Sequence, residues 1–149
     1  MARIPIICLG LAALLAASAA NAGDDKRTLV ALPPHMQDHM LGNMRDHLVA
    51  LDEALAALAA GQIKRAGDIV EQRIGMASLV MHDAAHMGKF MPEPMREMGM
   101  ALHRSASGLA IAAIDAEVEN TYAGQRKVFQ ALRDITQACN TCHTAYRIR

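Results

Sequence analysis

The sequence predicts an all-α fold, an antiparallel up-down-up-down bundle of four helices. Apolar residues recur at steps of three and four over four long segments, which is the spacing of one helix face. Short connections marked by glycine or proline separate these segments, so neighbouring helices are expected to run antiparallel. No segment shows the strict alternation of apolar and polar residues that a half-buried strand requires.

The chain begins with a predicted export signal. Arg3 supplies a positive charge, residues 4–20 are apolar but too short for a membrane span, and Ala20-Asn21-Ala22 has the pattern of a cleavage site. Cleavage after Ala22 removes residues 1–22 of the 149-residue chain and leaves a single periplasmic domain, residues 23–149. A retained N-terminal anchor is the alternative, and no later stretch is apolar enough to span a membrane.

The first two helices follow directly in the mature chain. Pro33-Pro34 predicts the start of the first helix, because proline is favoured in a first helical turn, and Gly61 predicts its end. The second helix is predicted over residues 62–87, with Gly88 breaking the pattern. The apolar face of the first helix is expected at Met40, Met44, Leu48, Leu51, Leu55 and Leu58, and that of the second at Ile63, Ala66, Val70, Ile74, Ala77, Val80, Met81 and Ala84.

The third helix is predicted to start near Pro94 and the fourth near Thr121. Their apolar faces are expected at Met95, Met98, Leu102, Ala106, Leu109 and Ala113 in the third helix, and at Val128, Leu132, Ile135, Cys139, Cys142 and Tyr146 in the fourth. Because Cys139 and Cys142 continue the apolar stripe, a group bound to them is expected to lie against the interior. Bulky aromatic residues are few, so alanine and methionine must fill this core.

The sequence Cys139-Asn140-Thr141-Cys142-His143 has the CxxCH pattern of covalent haem c attachment. Cys139 and Cys142 lie on one face of a helix, so both sulfurs can reach the two vinyl groups of one porphyrin. His143 follows one turn after Cys139 and is placed to be the proximal axial ligand of the iron.

Other roles for the two cysteines fit the sequence less well. A structural zinc site needs four ligands, and no second CxxC or C-x-H pair completes one. A thioredoxin-like pair is expected near a βαβ pattern, which is absent from the sequence. A disulfide between residues so close together closes a very small loop and stabilises little.

The export signal, the length of four helices and the C-terminal stretch CNTCHTAYR, residues 139–147, resemble the cytochrome c′ family. The resemblance implies one covalent haem c, with Cys139 and Cys142 as the thioether attachments and His143 as the proximal ligand. It also implies that Arg147 faces a haem propionate, with a solvated terminal charge as the alternative. Relatives often form antiparallel dimers through their first two helices, and this chain permits a homodimer of that kind.

The first helix offers Met36, Met40 and Met44 one turn apart on one side. Low-spin relatives in this family bind the iron with a first-helix methionine. By position relative to Gly61, that residue corresponds to Met44, with Met40 as the second candidate. His47 could also point inward, which would give two histidine ligands. Methionines at this spacing also commonly serve packing alone.

The expected function is electron transfer by a periplasmic monohaem cytochrome that exchanges electrons with redox partner proteins. The alternative is a five-coordinate haem that binds nitric oxide or carbon monoxide. The sequence has no glycine-rich phosphate loop and no nucleophile motif, so we do not expect an enzyme. Acidic and basic residues balance at 15 each, and loss of Arg3 leaves one excess negative charge, which argues against nucleic-acid binding.

A third hypothesis is a copper-binding protein, since thioethers and imidazoles suit copper in an exported protein. His35/His39 and His82/His86 are spaced i,i+4, so each pair could share one side of a helix. The hypothetical site uses His82 and His86, with His103 from the next helix. Met81, Met87, Met91 and Met95 surround the second pair in sequence. The alternative is that these residues pack or lie in solvent.

Overall fold

A computed structural model describes residues 25–149, so the predicted export signal and its cleavage site after Ala22 lie outside the described residues. The described chain is mainly helical, which confirms the all-α prediction. Its elements in order are β1 (Thr28–Leu29), α1 (Pro34–Ala59), α2 (Ile63–Arg73), α3 (Ala84–Met87), α4 (Glu93–Glu119), α5 (Tyr122–Ala145) and β2 (Tyr146–Arg147), with 3-10 turns at Met76–Ser78 and Gly88–Phe90.

Helix α1 begins and ends close to where the sequence predicts. Pro34 occupies its first turn, where the missing N–H of proline leaves no helical hydrogen bond unmade. At the other end Gly61 has a left-handed backbone, with φ of 73°. The Gln62 N–H donates to Ala57 O at 2.8 Å and the Gly61 N–H to Leu58 O at 3.0 Å, which is the Schellman pattern of a glycine-terminated helix.

The prediction of one helix over residues 62–87 is wrong, because α2 ends at Arg73. Beyond Arg73, backbone groups that a longer helix would pair internally form hydrogen bonds with side chains of α4 instead. The Ser107 hydroxyl accepts from the Met76 N–H at 2.9 Å, and the Ile74 carbonyl bonds the His103 ring at 2.6 Å. Asp83 then adopts a left-handed backbone with φ of 49°, and this interrupts the chain before the single turn of α3.

The four long helices pack in a chain of neighbours, α1 against α2, α2 against α4, and α4 against α5. Small residues allow close approach at two of these contacts. A Cβ on Gly67 would lie 2.7 Å from the Ala113 Cβ, between α2 and α4. A Cβ on Gly124 would lie 3.2 Å from the Ala116 Cα, between α4 and α5. Larger side chains at these glycines would therefore push the helices apart.

The buried face of α1 is rotated from the predicted one. Leu48 and Leu55 are exposed, and the buried positions of the helix are instead Met36, Met40, His47, Ala50, Ala54 and Ala57. Close packing of helix backbones favours alanine over leucine at the contact, so the small residues face inward. For α4 the predicted face is confirmed, with Met98 partly exposed and the other five positions buried.

Two apolar clusters form the interior. The alanine cluster lies between the long helices and consists of Ala50, Ala54, Ala57, Ala66, Val70, Ile74, Leu102, Ala106, Leu109 and Ile135. The methionine cluster consists of Val30, Met36, Met40, Met87 and Met95, with Leu32, Met44, Phe90, Met91, Cys142, Tyr146 and Ile148 packed against it. Methionine suits the second cluster because its flexible side chain fills irregular space between helices and loops.

The two chain ends meet beside the methionine cluster. Strand β1 pairs in parallel with β2, and the Val30 N–H donates to Arg147 O at 2.8 Å. The Gln37 side chain, on the first turn of α1, donates to Ile148 O. These contacts hold the segment before α1 against the segment after α5. None of the helices within residues 25–149 is both long and apolar enough to cross a membrane.

Candidate functional site

The two cysteines of the CxxCH motif lie on the last turns of α5 and are not joined in a disulfide. Both side chains are half-buried, and burial raises the pKa of both thiols. Cys139 packs against the alanine cluster and Cys142 against the methionine cluster. The pair therefore faces the interior along one side of α5, as the apolar stripe of the sequence predicts.

Met40 and Met44 reach the same cluster from α1. Met40 is buried within the methionine cluster, and Met44 is half-buried against it, as Cys142 is. The two methionines predicted as distal ligands and the second predicted attachment cysteine therefore belong to one apolar region. Met36, one turn earlier, is also buried there.

His143 and Arg147 lie at the edge of this region. His143 is exposed on the last turn of α5, and its carbonyl accepts from the Arg27 guanidinium at 3.4 Å. The Arg147 Nε lies 3.6 Å from the Asp25 carboxylate, within range of an ion pair. That same nitrogen is buried and has no hydrogen-bond partner among the described residues. The roles of His143 as proximal ligand and Arg147 as propionate contact stay predictions.

These residues fit a covalently attached haem in their chemistry. Two unpaired thiols on one helical face adjoin apolar clusters, and methionine thioethers approach from a second helix. Helix α5 packs closely on α4, whereas α1 packs most closely on α2. Side chains of α1 and α5 meet in both apolar clusters. The Nε of Arg147 makes no hydrogen bond among the described residues, and the anionic group nearest to it is the Asp25 carboxylate, 3.6 Å away.

A second feature is a cavity of about 470 Å³ between α1, α4 and the segment that joins α2 to α4. Methionines and three histidines dominate its wall. The histidines are His47 on α1, His82 in the connecting segment and His103 on α4, and all three are at least nine-tenths buried. We call these three residues the histidine trio.

The rings of the trio lie close together. The ring centroids are 4.8 Å apart for His47 and His82, 5.4 Å for His82 and His103, and 6.3 Å for His47 and His103. The Nε2 atoms of His47 and His82 are buried without a hydrogen-bond partner among the described residues. Such groups are uncommon in folded proteins, because an unmade hydrogen bond costs about 1–3 kcal/mol.

Hydrogen bonds define the proton positions on two of the rings. The His103 Nδ1 lies 2.6 Å from Ile74 O, and because a carbonyl only accepts, Nδ1 carries the proton. The Ser78 hydroxyl donates to Gly75 O at 2.7 Å and so must accept from the His82 Nδ1, 3.2 Å away. With Nδ1 protonated, the neutral form of each ring has a lone pair on Nε2.

Burial also keeps the rings of His47 and His82 uncharged. Desolvation, helped by repulsion from His82 and His103, lowers the pKa of His47 to about 4. Desolvation is also the main cause that lowers the pKa of His82. Asp46, next to His47, is paired with Arg73 through a hydrogen bond of 3.1 Å, and this lowers the pKa of the Asp46 carboxyl. His47 and His82 are thus neutral imidazoles at pH 7.

Of the two histidine pairs with i,i+4 spacing, His82/His86 does not share a helix face, whereas His35 and His39 lie one turn apart on α1. His86 stacks on Phe90, with ring centroids 5.3 Å apart, and lies outside the cavity wall. The left-handed Asp83 between His82 and His86 is the reason, since helical spacing no longer applies across it. His35 is exposed, and the His39 ring bonds the His82 carbonyl at 3.0 Å.

Sequence reasoning missed the histidine trio as a group, although helical spacing offered a signal. His47 lies three residues before the buried Ala50, and His103 lies three before the buried Ala106. Both histidines thus occupy core positions of their helices. His82 could not be placed in this way because it lies in an irregular segment.

Within residues 25–149, no group of three or more His, Cys, Asp or Glu side chains is arranged to hold a metal ion, so the rings of the histidine trio would have to rotate to share one. Comparisons of the chain with protein-family models, with curated proteins and with solved structures found no match.

Proposed function

We propose that the protein is an exported c-type haem protein of the cytochrome c′ type, a four-helix bundle that acts in electron transfer. One observation carries the proposal. The two unpaired, half-buried thiols of the CxxCH motif face apolar clusters, and the cluster beside Cys142 includes Met40 and Met44. The order of contacts among α1, α2, α4 and α5 supports the bundle.

In this proposal the Cys139 and Cys142 sulfurs would hold the haem by thioether bonds, and His143 and Met44 would supply ligands to its iron. Haem held in this way supplies one-electron oxidation and reduction. The methionine cluster excludes water from the region, and Met40 is the second candidate for the distal position. Arg147 balances the charge of a propionate with its buried guanidinium nitrogen.

The alternative function is binding of nitric oxide or carbon monoxide. It applies if Met44 packs near the iron without bonding it, which leaves the sixth coordination position open. Met44 is only half-buried, so its side chain has room to adopt either arrangement. The presence or absence of a sulfur–iron bond therefore separates electron transfer from gas binding.

The first test is the optical spectrum of the haem-loaded protein in both oxidation states. We expect a low-spin spectrum with the weak ferric absorption band of a sulfur–iron bond, and we expect Met44→Ala to abolish that band. Met81→Ala is the matched control, because Met81 is 57% exposed and lies outside the methionine cluster. A high-spin spectrum that shifts with carbon monoxide would replace electron transfer with gas binding.

A further inference from the structure

We propose that the histidine trio, His47, His82 and His103, binds a single Cu(I) ion through three Nε2 atoms. None of these three ligands is assigned to the haem, but the cavity wall also includes Met40 and Met44, the two candidates for the distal haem ligand. The trio also differs from the set expected from the sequence, because His86 is excluded and His47 is included.

The spacing of the three rings fits one shared metal ion. A metal–nitrogen bond of about 2.0 Å places an imidazole centroid about 3.2 Å from the metal. Three such rings in a trigonal or tetrahedral arrangement have centroids about 5.2–5.5 Å apart. The observed separations of 4.8, 5.4 and 6.3 Å bracket this range. Small ring rotations can therefore turn three Nε2 atoms toward one point.

The hydrogen bonds around the trio are those of metal-binding histidines. A ligating imidazole usually donates its second ring N–H to a fixed acceptor, which sets the tautomer and the ring orientation. His103 donates from Nδ1 to the Ile74 carbonyl, and His82 donates from Nδ1 to Ser78. The Nε2 atoms of His47 and His82 are buried and have no hydrogen-bond partner in the part of the chain that the structure describes. A bound cation would satisfy both of these atoms.

The cavity chemistry favours Cu(I) over a divalent cation. Among residues 25–149 no carboxylate lines the cavity, and the charged residues of its wall, Lys89 and Arg96, are both cationic. The nearby Asp46 is already neutralised by Arg73. Burying a divalent charge without an anionic ligand is expensive, so a monovalent ion is preferred. Thioethers such as Met100, one turn before His103, are soft donors suited to Cu(I).

The test is an anaerobic Cu(I) titration of the mature, haem-loaded protein in competition with a chromophoric Cu(I) chelator. We expect one bound ion per chain, and X-ray absorption at the copper edge should show about three nitrogen neighbours at about 2.0 Å. His82→Ala and His103→Ala should weaken binding by more than about 100-fold. Ser78→Ala should weaken it by about 10–100-fold, because it releases the His82 ring.

His86→Ala is the matched control and should leave Cu(I) affinity unchanged, since His86 stacks on Phe90 outside the cavity. Circular dichroism establishes that each variant is folded. X-ray absorption on the unmodified protein decides the ligand set even if a variant unfolds. No copper uptake, copper bound by sulfur alone, or tighter binding of Zn(II) would each overturn the proposal. Failure of haem attachment would appear separately, in the optical spectrum.

Discussion

At the scale of single residues, burial of histidine determines which groups are charged. His47 is 5% exposed, and no residue of the described chain forms a hydrogen bond with its Nε2 atom. Protonating it in the folded protein would place a cation beside His82 and His103 in an apolar setting, and this lowers its pKa to about 4. In the unfolded chain the same ring titrates near 6.5. The difference couples proton binding to folding.

We expect the free energy of unfolding of the metal-free protein to decrease as the pH falls from about 6.5 to about 4. In this window the unfolded state binds a proton at His47 that the folded state does not, which costs up to about 1.4 kcal/mol per pH unit. The lowered pKa of His82 acts in the same direction. Urea unfolding at several pH values, with a chelator present, measures this slope.

His47→Gln should reduce that slope by up to about 1.4 kcal/mol per pH unit. His35→Gln is the control, because His35 is exposed on the first turn of the same helix. Asp46 contributes only at the acid end of this window, because Arg73 lowers its pKa from the ordinary value of 3.8 that applies to the unfolded chain. Equal slopes for the unmodified protein and His47→Gln would contradict the prediction.

At the scale of helices, contacts between small residues determine how closely the elements approach. Gly67 on α2 lies directly against α4, where an added Cβ would come within 2.7 Å of the Ala113 Cβ. Gly108, on α4, is exposed, and an added Cβ there would meet nothing within 4 Å. The same substitution at these two glycines therefore has opposite consequences.

Gly67→Ala should decrease the free energy of unfolding by about 1–3 kcal/mol, because the added methyl group overfills the contact between α2 and α4. Gly108→Ala should increase it by about 0.5–1 kcal/mol, because alanine favours the helix and meets no neighbour. Thermal or denaturant unfolding measures both changes. If Gly67→Ala stabilised the protein instead, α2 and α4 would have to be too far apart at Gly67 for an added methyl group to clash with Ala113.

At the scale of the whole molecule, the two chain ends enclose the methionine cluster. Val30 follows β1 directly and is 6% exposed within this cluster, whereas the adjacent Leu29 is 51% exposed. The parallel pairing of β1 with β2 fixes this arrangement across nearly the full length of the described chain. Stability of the methionine cluster thus depends on contact between the two ends.

Val30→Ala should decrease the free energy of unfolding by about 1–2 kcal/mol, since it removes buried methyl groups and leaves space beside Met36 and Met40. Leu29→Ala should change it by less than about 0.5 kcal/mol, because the side chain is largely in solvent. Denaturant unfolding of the two variants makes the comparison. An equal decrease in the free energy of unfolding for both variants would mean that the Val30 side chain is not buried in the methionine cluster.

Self-association of the whole molecule through α1 and α2 stays a prediction. The exposed leucines of α1, Leu48 at 69% and Leu55 at 48%, leave apolar surface on that helix. These are the leucines that the sequence placed in the interior. Because they are exposed instead, they could contribute apolar contacts to a homodimer interface on α1.

The sequence by itself determined much of the element order and the linear motifs. Glycine and proline act locally on the backbone, so the start of α1, its end before Gly61 and the starts of α4 and α5 were predictable to within a few residues. Helical spacing likewise gave the buried face of α4. The CxxCH motif is a contiguous pattern, and its inward-facing cysteines followed from the stripe of α5.

Tertiary structure alone decided the end of α2 and the grouping of histidines. Bonds from His103 and Ser107 on α4 hold the chain near Ile74 and Met76, and local propensity contains no information about them. The rotation of α1 depended on how closely its neighbours approach. Because His47, His82 and His103 come from separate elements, only packing of those elements could bring the three rings together.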